Sequence, residues 1–215
     1  VSWDQGACIG IPGITAHRAV HVGGSVDGRV VLVQGAAGAV GMAAVAIAKH
    51  AGARVIATVR SDADSSIAHA AGADEVLRTD GRAPEQIVES ILTLHSGGVD
   101  HVVEVAFQAN LAVDEQVLKL GGSIASYATN RANPEIPFWN LVFKNARLYF
   151  LGSDDFPKEA KRDAADALSE MLAHGWAGYP IGHVLPLDQV ATAHEIVEAG
   201  GRGGRVLLDP SGGAL

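Results

Sequence analysis

Five sets of side chains in this sequence have types or spacing that could do chemistry. His17 and His21 stand four apart, so a helix would put both imidazoles on one face, half of a metal site. A zinc site needs three or four converging donors, and no third falls within reach, so the pair reads as two helix-face histidines. Asp100, His101 and Glu104 contain the parts of an acid–base set. Strand alternation sends His101 and Glu104 to opposite faces, which breaks the set. Asp154 and Asp155 are adjacent carboxylates that read as a solvated loop, because neighbouring side chains rarely point together. Cys8 has no evident base to activate it. Phe138, Trp139 and Phe143 read as core or interface, with contact to an apolar ring substrate as the second reading. None of these supplies a convincing general acid or nucleophile, and the catalytic residue stays unassigned.

The informative stretch has almost no functional groups. "VLVQGAAGAVG", Val31 to Gly41, is an apolar run that ends in Gly, Ala and Val alone. A strand, a bare turn and a helix make a phosphate site. The first helical turn has free N–H groups and the positive end of the dipole. A diphosphate can sit there if no side chain blocks it. The register read against G-x-G-x-x-G is Ala36-x-Gly38-x-x-Gly41. Gly38 would admit the phosphates and Gly41 would let the helix pack on the strand. NAD-binding units usually end the second strand on an acid that holds the ribose 2′-hydroxyl. Here that end reads Thr58-Val59-Arg60-Ser61. Arg60 and Ser61 suit a 2′-phosphate, so NADPH is favoured over NADH. Asp62 and Asp64 oppose that choice by repulsion.

The elements that must hold this turn follow from periodicity. Short β-branched runs alternate with Ala-rich helical stretches from Val30 to Tyr127: strands near 30–34, 54–59, 75–77, 101–105 and 123–127, with helices near 40–51, 63–71, 84–95 and 111–120. Apolar strands separated by helices imply an α/β fold, a Rossmann-like doubly wound parallel sheet covered on both faces. After about Leu151 the rhythm changes: a long helix over 157–174, then a strand near 181–185, a helix over 187–199 and a strand at 205–208. The boundary is placed near Gly175, giving a dinucleotide-binding domain over 1–174 and a C-terminal segment over 175–215. The chain has 215 residues, 48% of them hydrophobic and 19% charged, with a net charge of −8. The acidic balance argues against a nucleic-acid surface. No apolar run approaches the roughly 20 residues that span a bilayer. A single cysteine suits a reducing compartment, so a cytoplasmic location is expected.

Four stretches carry a resemblance to the zinc-free quinone oxidoreductases related to zeta-crystallin, in the medium-chain dehydrogenase/reductase superfamily. "GACIGIPGITAHRAV" resembles the family's hinge helix. "VLVQGAAGAVGMAAVAIAKHAGARVIATV" resembles its nucleotide unit, which carries AxxGxVG. "GGVDHVVEV" with "LKLGGSIASYA" resembles its fourth and fifth strands, and "AHEIVEAGGRGGRVLL" its C-terminal signature. The resemblance implies cofactor contacts at Thr15 near the nicotinamide and at Ala37, Gly38, Ala39 and Val40 around the diphosphate. It implies Thr79 beside the adenosine, Gln108 where an Asn is common, and Ser126, Tyr127 and Ala128 beside the nicotinamide ring. Leu148, Tyr149 and Phe150 would complete that wall. Asp64 stands where some members have a phosphate-binding Lys. Zinc-dependent relatives place a Cys ligand four residues before Thr15; here that residue is Ile11, so no metal is expected. The resemblance also implies a GroES-like catalytic domain ahead of the hinge, absent from this chain, and pairing of two copies through the sheet edge.

The function expected is zinc-independent reduction of a quinone or an α,β-unsaturated carbonyl by NADPH, with the chain alone weakly active. Three alternatives stay open: an enoyl-thioester reductase domain, a non-catalytic NADPH-binding module, and a methyltransferase, which Val59 at the second strand end argues against.

Overall fold

The structure, a computed structural model, describes residues 1–200 and 203–211. Gly201 and Arg202 of the C-terminal signature lie outside the described residues. The chain divides into two compact units: Ile11–Asp166, and Val1–Gly10 together with Ala167–Leu215.

The larger unit starts in helix α2 (Gly10–His21), which follows α1 (Trp3–Cys8), and then alternates strand and helix. Its elements are β1 (Val30–Val33), α3 (Ala39–His50), β2 (Arg54–Val59), α4 (Asp62–Ala70), β3 (Glu75–Arg78), α5 (Pro84–Leu94), β4 (Val99–Glu104), α6 (Phe107–Val117), β5 (Leu118–Ser126), α7 (Phe138–Phe143) and β6 (Arg147–Phe150). The six strands form one sheet in the order β3-β2-β1-β4-β5-β6, all neighbours parallel. This is the expected Rossmann-like sheet. The order reverses between β1 and β4, which opens a crevice at their carboxyl ends where ligands of such sheets bind.

Both faces of the central strands are dry. Val31, Leu32, Val33, Val102 and Val103 have no exposed surface, which accounts for their unbroken apolar sequence. On one side Leu32, Ile56, Ile91, Val102, Phe107, Leu111 and Ile124 form a cluster with α5 and α6. α3 has Ala at three positions between Met42 and Ile47, so it packs close to the sheet; Gly41 to Ala48 are all buried. His101 is the buried exception. Its Nε2 faces the Ala19 carbonyl at 2.7 Å and its Nδ1 the Ser123 hydroxyl at 2.8 Å. Burial holds its pKa below the ordinary histidine value, so the ring is a neutral bridge from β4 to α2 and β5.

Three elements depart from the sequence reading. α6 begins at Phe107 rather than Leu111, because Phe107 itself is buried against the sheet. α7 and β6 were not expected as elements, and β6 closes the sheet's edge beside β5.

The smaller unit contains the second part of α8 (Lys158–Ala173), then β7 (Ile181–Pro186), α9 (Val190–Ala199) and β8 (Arg205–Asp209), with β7 and β8 paired in parallel. The sequence places the division after residue 174; in the structure it falls within α8, and the first ten residues join the C-terminal ones. The physical tie is Gln5, whose amide donates to the Tyr179 carbonyl at 2.7 Å and accepts the Tyr179 N–H at 2.8 Å. No helix among the described residues is long and apolar enough to cross a membrane.

Candidate functional site

The turn after β1 is shaped by three glycines. Gly35 takes the left-handed conformation at φ 66°, where a Cβ would meet Val105 Cγ1 at 2.8 Å. The sequence register puts Ala36 at its first position; the left-handed residue of the turn is Gly35, one before it, and Ala36 is buried with its N–H on the Thr58 carbonyl at 2.9 Å. Gly38 is exposed and donates its N–H to the Gly35 carbonyl at 3.0 Å. It is also the N-cap of α3, without a side chain to cap it. Among the described residues, no hydrogen bond takes the N–H groups of Ala39, Val40 or Gly41. Those groups and the positive end of the α3 dipole remain for an anion.

The turn opens on a cleft of about 550 Å³ at the β1–β4 reversal. Gln34, Gly35, Ala37 and Gly38 line one side, and Val105, Ala106, Ala109 and Asn110 the other. The far end is formed by Thr58, Val59, Arg60, Asp64 and Thr79. Arg60 makes no ion pair among the described residues. Asp62, one of the two acids that argued against a phosphate there, is drawn to Arg78 at 3.3 Å, an exposed pair worth little in stability. Asp64 remains as the acid that lines the cleft with Arg60. Ser61 caps α4 by accepting the Asp64 N–H at 3.1 Å, which leaves its hydroxyl proton free. Thr79 donates its hydroxyl to the Val59 carbonyl at 3.1 Å.

A second cavity of about 350 Å³ lies at the carboxyl end of β5, lined by Phe107, Ser126, Tyr127, Ala128, Phe150 and nearby loop residues. Phe107 and Phe150 meet edge to face with ring centres 5.3 Å apart. Ser126 donates its hydroxyl to the Ala128 carbonyl at 3.1 Å. Burial, and then the nearby Glu104 charge, push the Tyr127 phenol above its usual range, so it is a donor and not a base near neutrality.

Four further expected contacts line neither cavity. Thr15 is buried in α2, and Leu148 packs on the core cluster. Tyr149 alternates to the other side of β6, half-buried; none of the three lines either cavity. Gln108 is turned away from both cavities and accepts the Glu135 N–H at 2.5 Å. Asn110, two residues on, faces the cleft instead. Gln34 and Thr58 were also missed, although each is a polar residue at the end of an apolar strand, a visible sign of a polar task. The aromatic residues of α7 are not core: Phe138, Trp139 and Phe143 are 57%, 65% and 75% exposed, with Trp139 edge to face with Phe138 and stacked on Phe143. His17 and His21 lie with ring centres 4.7 Å apart, and among the described residues no three His, Cys, Asp or Glu side chains gather as a metal site.

Comparison with known proteins places the chain in a family and agrees with the fold. The family model described as zinc-binding dehydrogenase matches residues 39–170. The human quinone oxidoreductase is 32% identical over 213 residues, 97% of this chain and 63% of that protein. The chain therefore spans less than two thirds of that relative's length. The solved structure of a mycobacterial quinone oxidoreductase superposes with a TM-score of 0.90 at 25% identity, over 98% of this chain and 65% of that one. A mycobacterial structure complexed with NADPH superposes with a TM-score of 0.83 at 25% identity, with the same coverage.

Proposed function

The chain belongs to the zinc-binding dehydrogenase family, as a quinone oxidoreductase-like member of the medium-chain dehydrogenase/reductase superfamily, and from that premise we propose that it binds NADPH to reduce a quinone or an α,β-unsaturated carbonyl. One observation carries the reading: a turn of Gly and Ala alone, with three N–H groups behind it that have no partner among the described residues, opens on the cleft at the sheet reversal. A diphosphate fits that turn because Gly38 leaves the approach clear and the α3 dipole favours the charge.

Bound NADPH would supply the hydride, and the chain's own residues would bind and align it. Gly38, Ala39, Val40 and Gly41 would hold the diphosphate through backbone N–H groups. Arg60 would pair with the 2′-phosphate, helped by the free proton of Ser61, while Thr79 walls the adenosine end. Ser126, Tyr127 and Ala128 would lie along the nicotinamide, with Phe107 and Phe150 giving an acceptor an apolar, edge-on wall. Tyr127, held protonated, would donate a hydrogen bond and not take a proton. Ile11, at the position of the zinc ligand in zinc-dependent relatives, has no donor atom, so the reading is zinc-independent. A homodimer, and weak turnover by this chain alone, belong to the same reading.

Calorimetric titration of the chain with NADPH and NADH tests the cofactor. Loss of NADPH absorbance on adding a benzoquinone tests the reaction. Saturable binding with NADPH preferred is expected; no binding of either nucleotide overturns the reading.

A further inference from the structure

Beneath the cleft lie two acids that the mechanism does not use. Glu104 ends β4 and Asp114 sits on the buried face of α6, and neither has exposed surface. No Lys, Arg or His pairs with either among the described residues. Their carboxyl groups are in hydrogen-bond contact with each other. Glu104 Oε1 accepts the Ala106 N–H, and both Glu104 oxygens accept from Asn110 Nδ2, at 3.0 and 3.1 Å. Asp114 Oδ1 accepts from Gln34 Nε2 at 2.7 Å, while its Oδ2 is buried without a donor. Two carboxylates offer no proton to each other, so full ionisation would leave that oxygen orphaned beside a second charge. A proton on Asp114, donated to Glu104, removes both defects.

The contact is one link in a longer chain. The Thr58 hydroxyl donates to Gln34 Oε1 at 2.5 Å and accepts the Gly35 N–H at 3.2 Å. Hydrogen bonds therefore run from the Gly35 turn through Thr58 and Gln34 to Asp114, then to Glu104, Ala106 and Asn110. Apart from the two acids, every member lines the nucleotide cleft. The chain crosses the sheet reversal from β2 through β1 to β4 and ties one rim to the other.

We propose that Glu104 and Asp114 share one proton and act as positioning residues, bracing the two rims of the nucleotide cleft in the spacing that a dinucleotide requires. The positioning role rests on the NADPH reading above; the shared proton does not. Burial, and then Glu104's charge, raise the Asp114 carboxyl well above its ordinary range, in keeping with this geometry. Tyr127, at the end of β5, is the other titratable group whose charge interaction reaches Glu104, and its raised phenol stays neutral alongside the pair.

Asp114→Asn is the decisive variant. Its amide donates to Glu104 and its carbonyl accepts from Gln34, which copies the protonated acid. Asp114→Ala removes both bonds. Calorimetry with NADPH should show Asp114→Asn within about threefold of the unmodified chain and Asp114→Ala weaker by about tenfold or more. A raised carboxyl stabilises the fold most below its unfolded pKa and loses that contribution as pH rises towards the folded value. The melting temperature of Asp114→Asn relative to the unmodified chain should therefore climb between about pH 5 and about pH 8. A melting difference that is flat with pH overturns the shared proton, even if Asp114→Ala does not fold. Equal NADPH affinity in all three proteins, or equal loss in both variants, overturns the positioning role. If the unmodified chain binds no NADPH while the melting difference climbs, the nucleotide reading and the positioning role fail and the shared proton stands.

Discussion

Gly41, buried in the first turn of α3, rests on the Gly35 carbonyl with no room for a Cβ between them. A side chain at residue 41 would press on that carbonyl and on Ala36 Cα, 2.9 Å from where the Cβ would stand. Backbone cannot step aside as a flexible side chain can. Gly41→Ala should therefore destabilise the fold by about 1–3 kcal/mol, the usual cost of overpacking, despite alanine's better helix propensity. Urea unfolding measures it; a gain in stability would show that the turn yields freely.

Gly38 differs in kind. Its φ of −72° is open to any residue, and a Cβ would stand 3.3 Å from the Gly35 carbonyl, a tight but tolerable contact. Gly38→Val should leave the chain folded, with a cost near 1 kcal/mol at the helix cap, while its methyl groups occupy the approach to the free N–H groups. NADPH binding by calorimetry should be lost. A folded variant that binds as before would place the diphosphate elsewhere.

These two glycines also show how far the sequence could be read. Small residues after an apolar run reveal a bare turn, and the period of the flanking runs reveals the sheet. Which residue carries the left-handed turn is settled by contacts of Gly35 with Val105 and Thr58, residues far along the chain, which the local run of small residues does not show. The hydrogen bond of Gln108 was hidden for the same reason: its partner, Glu135, lies 27 residues away in a loop. Asp114 was legible in principle. It shares a helical face with Phe107, Leu111 and Val117, all buried, where an acid is out of place. Starting α6 at Leu111 hid that face, and with it the polar chain under the cleft.

His17 predicts the response to acid. Burial, and then the neighbouring His21, depress its pKa to about 4, and burial lowers His21 as well. Both rings are thus neutral in the folded protein below the pH at which the unfolded chain takes up their protons. Stability should fall as pH drops from about 6.5 towards 4, at no more than about 1.4 kcal/mol per pH unit for each ring. His17→Gln should flatten that fall in urea midpoints measured between about pH 7 and about pH 5. An acid limb unchanged in the variant would assign the loss to other groups.

Arg60 and Asp64 both line the far end of the cleft, and their variants should move cofactor choice in opposite directions. Arg60→Ala removes a cation that only a 2′-phosphate would engage. It should weaken NADPH by about 1–3 kcal/mol and leave NADH nearly unchanged. Asp64→Asn keeps the size of the side chain and the Ser61 cap, which uses the backbone N–H of residue 64 and not its carboxylate. It removes a charge that repels the phosphate, so NADPH should bind more tightly, by up to about 1 kcal/mol at this partly exposed site, again without effect on NADH. Raising the salt concentration should shrink both effects, because the charges are screened over about 10 Å or less. Calorimetric affinities for the two nucleotides, each variant at two salt concentrations, give the answer directly. If both substitutions shift NADH as much as NADPH, residues 60 and 64 act on the shape of the cleft and the 2′-phosphate is not what they sense.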